Sequence, residues 1–263
     1  MGAAVTRMRH PDCAALVLAA GQGTRMRSDL PKVLHPMAGI PLLGHVLSTL
    51  DTLGVGRVLV VVGHQRDRVR SAFAEAGVEW VVQAEQCGTG HAVRMAAPAL
   101  DGFQGTLLVV CGDTPLLRAE TLHELLLEHR DSGAGVTVLS MRLPDPGGYG
   151  RVVRDARGDI EAIVEERDAS ATQRGIDEVN SGIYAFRYGV LADALPALGA
   201  RNAQREYYLT DTVALLRGRG HRTAVVCAAD FRELLGINTV EQLAEAERFY
   251  HELRSGAPRG TEH

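Results

Sequence analysis

The sequence predicts an α/β fold with a Rossmann-like, mostly parallel sheet and a smaller antiparallel lobe. Continuous apolar runs of strand length occupy residues 14–20 (AALVLAA), 57–63 (RVLVVVG) and 106–111 (TLLVVC), and helical patterns separate them. Apolar runs without alternation are typical of strands that are buried on both faces, as in a parallel sheet. After about residue 140 the pattern changes, because prolines and glycines are followed by short alternating strands. That change predicts the antiparallel lobe.

Helices are predicted between and after the three apolar runs. Residues 66–76 and 91–100 have helical patterns, and residues 121–124 (TLHE) read as a capping box ahead of three leucines. The order β-α-β-α-β-α favours an open sheet with right-handed crossovers. A further helix, between the first and second apolar runs, is predicted from one apolar face formed by Leu42, Val46, Leu47 and Leu50.

The second part of the chain predicts a lobe that is inserted in, or appended to, the first sheet. A helix at residues 207–217 and a strand at residues 223–228 then return to that sheet. A final helix is expected to begin at Thr239, where a capping box reaches to Gln242, and a loose tail is expected over residues 255–263. The lobe strands are predicted at residues 151–154, 160–164 and 179–187, and the apolar stripe of the final helix is Val240, Leu243, Ala246 and Phe249.

Composition and charge restrict the class of protein. The chain has 263 residues, 46% of them hydrophobic and 23% charged, which excludes a disordered chain. The formal net charge of −4 provides no overall field for nucleic acid or an anionic membrane, so a phosphate-bearing partner needs a local site. No apolar stretch reaches the ~18 residues of a membrane helix, and no signal peptide is apparent, so we expect a cytoplasmic protein. The spacing of the four cysteines suggests neither a zinc site nor a disulfide framework.

The strongest local signal is the glycine turn after the first strand, at residues 18–26 (LAAGQGTRM). Gly21 and Gly23 allow a tight turn whose backbone N–H groups can cradle phosphate oxygens. The segment is neither a Rossmann fingerprint nor a Walker A loop, and a purely structural turn is the alternative. Thr24, Arg25 and Lys32 favour phosphate binding, because two cations beside N–H donors suit a triphosphate.

Two further segments carry candidate binding residues. Asp113 follows the third apolar run, where open α/β sheets bind ligands, and a carboxylate there can ligate Mg²⁺. The alternative is a helix cap or turn aspartate. In residues 83–91 (QAEQCGTGH), Gly88 and Gly90 free the backbone before a helix, and Gln83 offers a donor and an acceptor to a base edge. Taken alone, this second segment is ambiguous.

With these motifs the sequence resembles the uridylyltransferase domain of the GlmU family, bacterial bifunctional N-acetylglucosamine-1-phosphate uridylyltransferases and glucosamine-1-phosphate acetyltransferases. The resemblance extends from about Ala14 to the final helix. The glycine turn is general to sugar nucleotidylyltransferases, whereas QAEQ-GTGHA, EYYLTD and GIN together are more specific. The other matching segments are SDLPKVLH (28–35), GDTPLL (112–117), GYGR (148–151), IVEERDA (163–169), EVNSGIY (178–184), EYYLTD (206–211) and GIN (236–238).

The resemblance implies a nucleotide-diphospho-sugar transferase fold and Mg²⁺-dependent transfer of a uridylyl group from UTP to N-acetylglucosamine-1-phosphate. The nucleotide part would comprise about residues 12–140 and 221–238, and the sugar-binding lobe about residues 141–220. The implied site residues are Arg25 and Lys32 on the triphosphate; Leu18, Ala20, Gly21, Gly23, Gln83, Gly88 and Thr89 on the nucleotide; Gly150, Glu165, Asn180, Tyr208 and Thr210 on the sugar phosphate; and Asp113 and Asn238 on the metal.

Each implied role has a structural alternative. Asn180 could be a turn residue, Glu165 and Tyr208 surface residues, and Asn238 a cap of the last helix. His91 is expected to structure its helix start rather than to move protons. A sugar-1-phosphate already carries nearly two negative charges, because its second pKa is ~6, and it can attack without a general base. Catalysis should therefore consist of positioning and charge neutralisation.

The sequence departs from the family in one respect. No hexapeptide repeat appears before His263, so acetyl transfer and a coenzyme A site are not predicted, and the family's trimer is in doubt. We expect either a truncation or a natural single-domain enzyme. Two alternatives remain open: a stand-alone nucleotidylyltransferase that uses another sugar phosphate, cyclitol phosphate or NTP, and a non-catalytic nucleotide-sugar sensor.

Overall fold

The three apolar runs form neighbouring parallel strands in a computed structural model, which describes residues 8–255. The strands are β1 (His10–Ala19), β2 (Pro36–Met37), β3 (Ile40–Pro41), β4 (Val55–Val62), β5 (Glu79–Val82), β6 (Thr106–Cys111), β7 (Val136–Arg142), β8 (Arg151–Arg154), β9 (Ile160–Val164), β10 (Glu178–Arg187) and β11 (Thr223–Cys227). The helices are α1 (Leu42–Leu53), α2 (Arg66–Ala72), α3 (Thr89–Ala96), α4 (Ala119–Ser132), α5 (Ala171–Arg174), α6 (Tyr188–Ala194), α7 (Asp211–Gly218) and α8 (Val240–Ser255).

The main sheet has the strand order β11-β7-β10-β6-β1-β4-β5. The pairs β6/β1, β1/β4, β4/β5 and β11/β7 are parallel, whereas β10 runs antiparallel to both β6 and β7. The antiparallel hairpin of β8 and β9 joins the sheet through β10. The predicted class, a mostly parallel α/β sheet with a small antiparallel part, is confirmed.

Both faces of the central strands are buried, as the unalternating apolar runs predicted. Along β1, Leu16 packs into the core on one face of the sheet and Val17 into the core on the other. Helices α3, α6 and α7 cover the first face, and α1, α2 and α4 cover the second. The carboxyl ends of β1, β4 and β6 therefore open at one edge between the two helical layers, where the site lies.

Most predicted elements are present, but several boundaries were wrong. Helix α2 ends at Ala72, because Phe73 leaves the helical conformation, and α7 begins only at Asp211. The predicted helix at residues 91–100 is α3, starting at Thr89, followed by a 3₁₀ turn (Ala97–Leu100). Strand β7 was not predicted, and β10 is shared between the main sheet and the lobe.

The two predicted capping boxes have opposite outcomes. The box at Thr121 was wrong, because α4 begins at Ala119 and the Thr121 hydroxyl donates instead to the buried carboxylate of Glu233. The box at Thr239 is confirmed, since its hydroxyl accepts from Gln242 N (3.2 Å) and Gln242 Oε1 accepts from Thr239 N. On α8 the predicted apolar stripe was wrong for Val240, which is 53% exposed, whereas Ala246 is buried and Leu243 and Phe249 pack against the same cluster.

The predicted loose tail lies outside the described residues, except for Ser255, which ends α8. Within residues 8–255, no helix is both long enough and apolar enough to cross a bilayer.

His129 should make the protein less stable in mild acid. Its imidazole is buried and Nδ1 lies 2.9 Å from Thr137 Oγ1, and burial lowers its pKa from 6.5 to about 4. Between those two values the unfolded chain takes up a proton that the folded chain does not, so the free energy of unfolding falls as pH falls. The slope from this one group is at most about 1.4 kcal/mol per pH unit.

Chemical denaturation from pH 7 to pH 4 measures that contribution. We expect His129→Gln to flatten the pH dependence relative to wild type, whereas His64→Gln, which removes an exposed imidazole, should leave it unchanged. Equal slopes for wild type and His129→Gln would contradict the assignment.

Candidate active site

The glycine turn lies directly over the stem of Lys32. Gly23 has φ +63°, and a Cβ on it would come within 2.7 Å of Lys32 Cβ, so the close approach requires glycine here. The chain then forms a 3₁₀ turn (Thr24–Met26) that buries Met26 and leaves Arg25 exposed at the mouth of the site. The turn thus places the lysine and the arginine on the same side of the sheet edge.

Two cations and two candidate metal ligands converge at this edge. Lys32 Nζ donates to Asp113 Oδ2 and, at 3.0 Å, to Asn238 Oδ1, which also accepts from Arg25 (2.9 Å). Asp113 follows β6, and its backbone oxygen accepts from Ile237 N (2.9 Å), which brings the two segments together. Asn238 follows Ile237 and is held by the cap of α8, because Gln242 Oε1 accepts from Asn238 N (2.7 Å). Lys32 is the only lysine in a chain that otherwise uses arginine.

A cavity beside this cluster contains most of the predicted nucleotide-binding residues. Its floor is the end of β1, and one wall is the segment between β5 and α3. The lining residues include Leu18, Ala20, Gly21, Lys32, Gln83, Gly88, Thr89 and Asp113. Gly23 lies behind Lys32 and does not line the cavity.

Gln83 is 3% exposed and fixed at the end of β5. Its backbone N–H donates to Val62 O, and its side-chain Nε2 lies 3.1 Å from Gly88 O and 3.0 Å from His91 Nδ1. Gly88 and His91, in the wall of the cavity, therefore hold the Gln83 side-chain amide in place.

The segment before α3 is packed on the segment before α7. Gly88 has φ +100°, and a Cβ on it would lie 2.7 Å from Tyr207 O. The Gly90 N–H donates to the same oxygen at 2.7 Å, and Thr89 Oγ1 accepts from Leu209 N at 3.0 Å. These contacts give the cavity a rigid wall.

Gly88→Ala is expected to loosen that wall. The backbone conformation costs a non-glycine residue about 1–3 kcal/mol, and the clash with Tyr207 O adds to it. Thermal unfolding should show a clear loss of stability. Gly21→Ala is the matched control, because a Cβ at Gly21 meets no atom within 4 Å and its φ is not positive. Equal losses for the two variants would contradict the account.

The predicted sugar-binding residues are grouped around Glu165. Thr210 Oγ1 donates to Glu165 Oε1 (3.0 Å), and burial raises the pKa of this carboxyl. Gly150 lies beneath it, where a Cβ would be 3.5 Å from Glu165 Oε2, and its backbone oxygen accepts from Asn180 N (2.8 Å). A second cleft is lined by both Arg25 and Glu165, so it reaches from this group to the guanidinium that donates to Asn238.

Asn180 and Tyr208 have intramolecular partners. The Asn180 amide donates to Tyr184 Oη (2.8 Å) and accepts from Gly182 N (3.1 Å). Tyr208 is buried, and its hydroxyl donates to Asp168 Oδ2 (3.3 Å). Tyr208 lines neither the Gln83 cavity nor the second cleft. Its contact with Asp168 instead supports the loop before α7.

Sequence reasoning gave no role to several residues of the site. Gln86 and Glu206 line the same cavity as Gln83, and Gln86 Oε1 accepts from Gln22 (3.0 Å). Both belong to the motifs already quoted, which was the available signal. The buried guanidinium of Arg151 pairs with Glu166 (2.6 Å) and donates to Tyr149 O, linking two loops beside the second cleft. Arg151 ends the GYGR segment quoted above, but the alternating pattern of its strand did not indicate that its side chain is buried.

The oxygen atoms present fit Mg²⁺ that shares substrate phosphates. Asp113 and Asn238 both already hold cationic groups, and both offer the hard oxygen ligands that this ion prefers. Among the described residues no cluster of three or more His, Cys, Asp or Glu could form an all-protein metal site. Mg²⁺ commonly uses one or two protein oxygens and completes its shell with phosphates and water.

Fold and site together define a nucleotidyltransferase, with a glycine turn, two cations and a carboxylate at the carboxyl edge of a mostly parallel sheet. The chain belongs to the MobA-like NTP transferase domain family, which matches residues 15–179.

Comparison with curated proteins confirms the resemblance to the GlmU family. The chain is 51% identical over 236 residues to the bifunctional protein GlmU of Pelobacter propionicus, an alignment that covers 89% of this chain and 51% of that protein. It is 52% identical over 243 residues to GlmU of Streptomyces avermitilis, covering 91% of this chain and 50% of the relative. The chain spans about half the length of the curated relatives it matches.

Proposed function

We propose that this protein transfers the uridylyl group of UTP to N-acetylglucosamine-1-phosphate, giving UDP-N-acetylglucosamine and pyrophosphate. The observation that carries the proposal is the convergence of Lys32, Arg25, Asp113 and Asn238 at one end of the Gln83 cavity. A nucleotide whose base lies against Gln83 would place its phosphates at that convergence.

The same arrangement supports a division of roles. Lys32 and Arg25 would neutralise the triphosphate and hold it in line with the incoming sugar phosphate. Asp113 and Asn238 would hold Mg²⁺, which supplies charge neutralisation where two anions must meet. Glu165, Asn180 and Gly150 would orient the sugar. Consistent with this division, the sugar-binding lobe would be about residues 141–220, although β10 is shared with the main sheet.

The proposal needs no proton-transfer residue. The phosphate of the acceptor is largely dianionic at neutral pH, so its oxygen is already a nucleophile. The described side chains near Lys32 would accordingly provide charge and orientation. The pKa of the Glu165 carboxyl is raised by burial, and the hydrogen bond from Thr210 partly offsets that rise.

Pyrophosphate release tests the substrate assignment. The purified chain is assayed with Mg²⁺, each of the four NTPs and several sugar-1-phosphates. We expect the highest kcat/KM with UTP and N-acetylglucosamine-1-phosphate. Preferential turnover with GTP, or with an unrelated phosphate alone, would overturn the proposal. UDP-sugar binding without any pyrophosphate release would indicate a sensor.

A further inference from the structure

The orientation of the Gln83 amide follows from its partners. The Gly88 carbonyl oxygen can only accept a hydrogen bond, so the Gln83 atom 3.1 Å from it must be the Nε2 amide nitrogen. The same nitrogen lies 3.0 Å from His91 Nδ1. Its second hydrogen is therefore donated to His91, which requires a lone pair at Nδ1 and places the imidazole proton on Nε2.

This geometry leaves one atom of the amide for a ligand. Both Nε2 hydrogens point into the wall, and Gln83 Oε1 accepts no hydrogen bond from the part of the chain that the structure describes. Gln83 is 3% exposed and lines the cavity. The cavity thus presents a hydrogen-bond acceptor, and no side-chain donor, at this position.

We infer that His91 is a specificity-determining positioning residue, which locks Gln83 as an acceptor and thereby selects a base with a ring N–H over cytosine. Uracil has a donor N–H at N3, whereas cytosine has an acceptor there. A site built around one hydrogen-bonding pattern strongly rejects a ligand with the wrong one, because buried polar groups are left unpaired. This inference rests on the proposed function and assigns its base selectivity.

His91 contributes by raising the free-energy cost of rotating the Gln83 side-chain amide by 180°. To present an N–H to cytosine N3, Gln83 must give up both wall bonds and place Oε1 against the Gly88 carbonyl oxygen, while His91 must lose its partner or move its proton from Nε2 to Nδ1. Without the imidazole only the bond to Gly88 opposes the rotation. The position of the His91 ring is fixed, because the residue lies in the first turn of α3 and its ring lies beside that of Tyr207 (centroids 6.3 Å apart).

The experiment compares UTP with CTP in wild type and two His91 variants. We expect wild type to prefer UTP by on the order of 100-fold or more in kcat/KM. In His91→Leu that preference should fall by about 5–10-fold, the worth of one hydrogen bond. His91→Gln, which restores an acceptor on the helix, should recover most of it. The KM for the sugar phosphate should stay at its wild-type value in both variants.

The matched control is Met95→Leu, one turn further along α3, where the side chain is 38% exposed. It should keep the wild-type preference. An unchanged UTP/CTP ratio in His91→Leu, even with a lowered melting temperature, would show a structural role only and overturn the inference. An equal loss in His91→Gln and His91→Leu would also overturn it, since the acceptor would then be irrelevant.

Equilibrium binding of UTP and CTP, measured by calorimetry without sugar phosphate, separates this inference from the proposed function. A binding preference that is lost in His91→Leu supports the inference even if no product forms, in which case only the proposed function fails. Turnover of UTP with a preference that His91→Leu leaves intact supports the function and overturns the inference.

Discussion

Asp113→Ala is expected to lower kcat by more than about 100-fold while the protein remains folded. The carboxylate is the charged member of the proposed metal pair, and removing one group that stabilises developing charge typically costs 10²–10³ in rate, or roughly 3–4 kcal/mol. The fold should survive, because Lys32 is the one side chain within residues 8–255 that bonds this carboxylate, and the contact with Ile237 uses the backbone oxygen.

Steady-state kinetics at saturating Mg²⁺ and thermal unfolding together measure this effect. Asp113→Asn keeps the size and one ligand oxygen but removes the charge, so we expect an intermediate loss. Asp131→Ala is the control, because this carboxylate is exposed, lies at the end of α4 outside the site segments, and pairs with exposed Arg130. Near-normal turnover in Asp113→Ala would show that the carboxylate has no part in the reaction.

Lys32→Ala should cause a loss of similar size, for a different reason. Its ammonium group is half-buried and donates to both Asp113 and Asn238. Without it, the negative charge that develops on the triphosphate during the reaction would be less well neutralised. Lys32→Arg should not restore activity. Gly23 packs against the Lys32 stem, and the broad planar guanidinium is a poor substitute for a compact ammonium.

The kinetic comparison for Lys32 uses Arg130→Ala as a control for the loss of one exposed positive charge. A second readout is available, since Lys32 is the only lysine in the chain. Amine-directed labelling followed by peptide mapping reports on it separately from the N-terminal amine, and UTP with Mg²⁺ should slow its modification. Full activity of Lys32→Ala, or labelling of Lys32 that UTP does not slow, would show that Lys32 does not bind the triphosphate.

The parts of this site that follow one another in the sequence were predictable. The glycine turn, Arg25 and Lys32 lie within one short segment, and their residue types alone indicate phosphate binding. The bond from Arg25 to Asn238 Oδ1 spans 213 residues, and that from Lys32 spans 206. Residues alone could not predict such long-range contacts; only the resemblance linked Asn238 with this site.

Two of the errors, at Thr121 and at β7, arise from polar groups whose partners are buried inside the fold. Thr121 has a capping sequence, but its hydroxyl finds the carboxylate of Glu233, 112 residues away. Strand β7 escaped prediction because it contains polar residues that are nonetheless buried. In β7, Thr137 is paired with His129 and Ser140 donates to Glu178 (2.7 Å). Local periodicity cannot show that such groups are satisfied inside the core.

His91 illustrates a role that the motif contained but did not reveal. Its place at the start of α3 fits the expectation that it structures the helix. The distance from its Nδ1 to Gln83 adds a second task, because only the folded chain shows that the amide has two acceptors behind it. Base selectivity would then depend on a residue that does not itself contact the base.

Direct identification of the product is the sharpest test of the central claim. The chain is incubated with UTP, N-acetylglucosamine-1-phosphate and Mg²⁺, and the mixture is analysed by ³¹P NMR and mass spectrometry, with Asp113→Ala in parallel. We predict equimolar UDP-N-acetylglucosamine and pyrophosphate from wild type, loss of both on chelation of Mg²⁺, and almost none from the variant. Folded wild-type protein that forms no UDP-N-acetylglucosamine under these conditions would contradict the account.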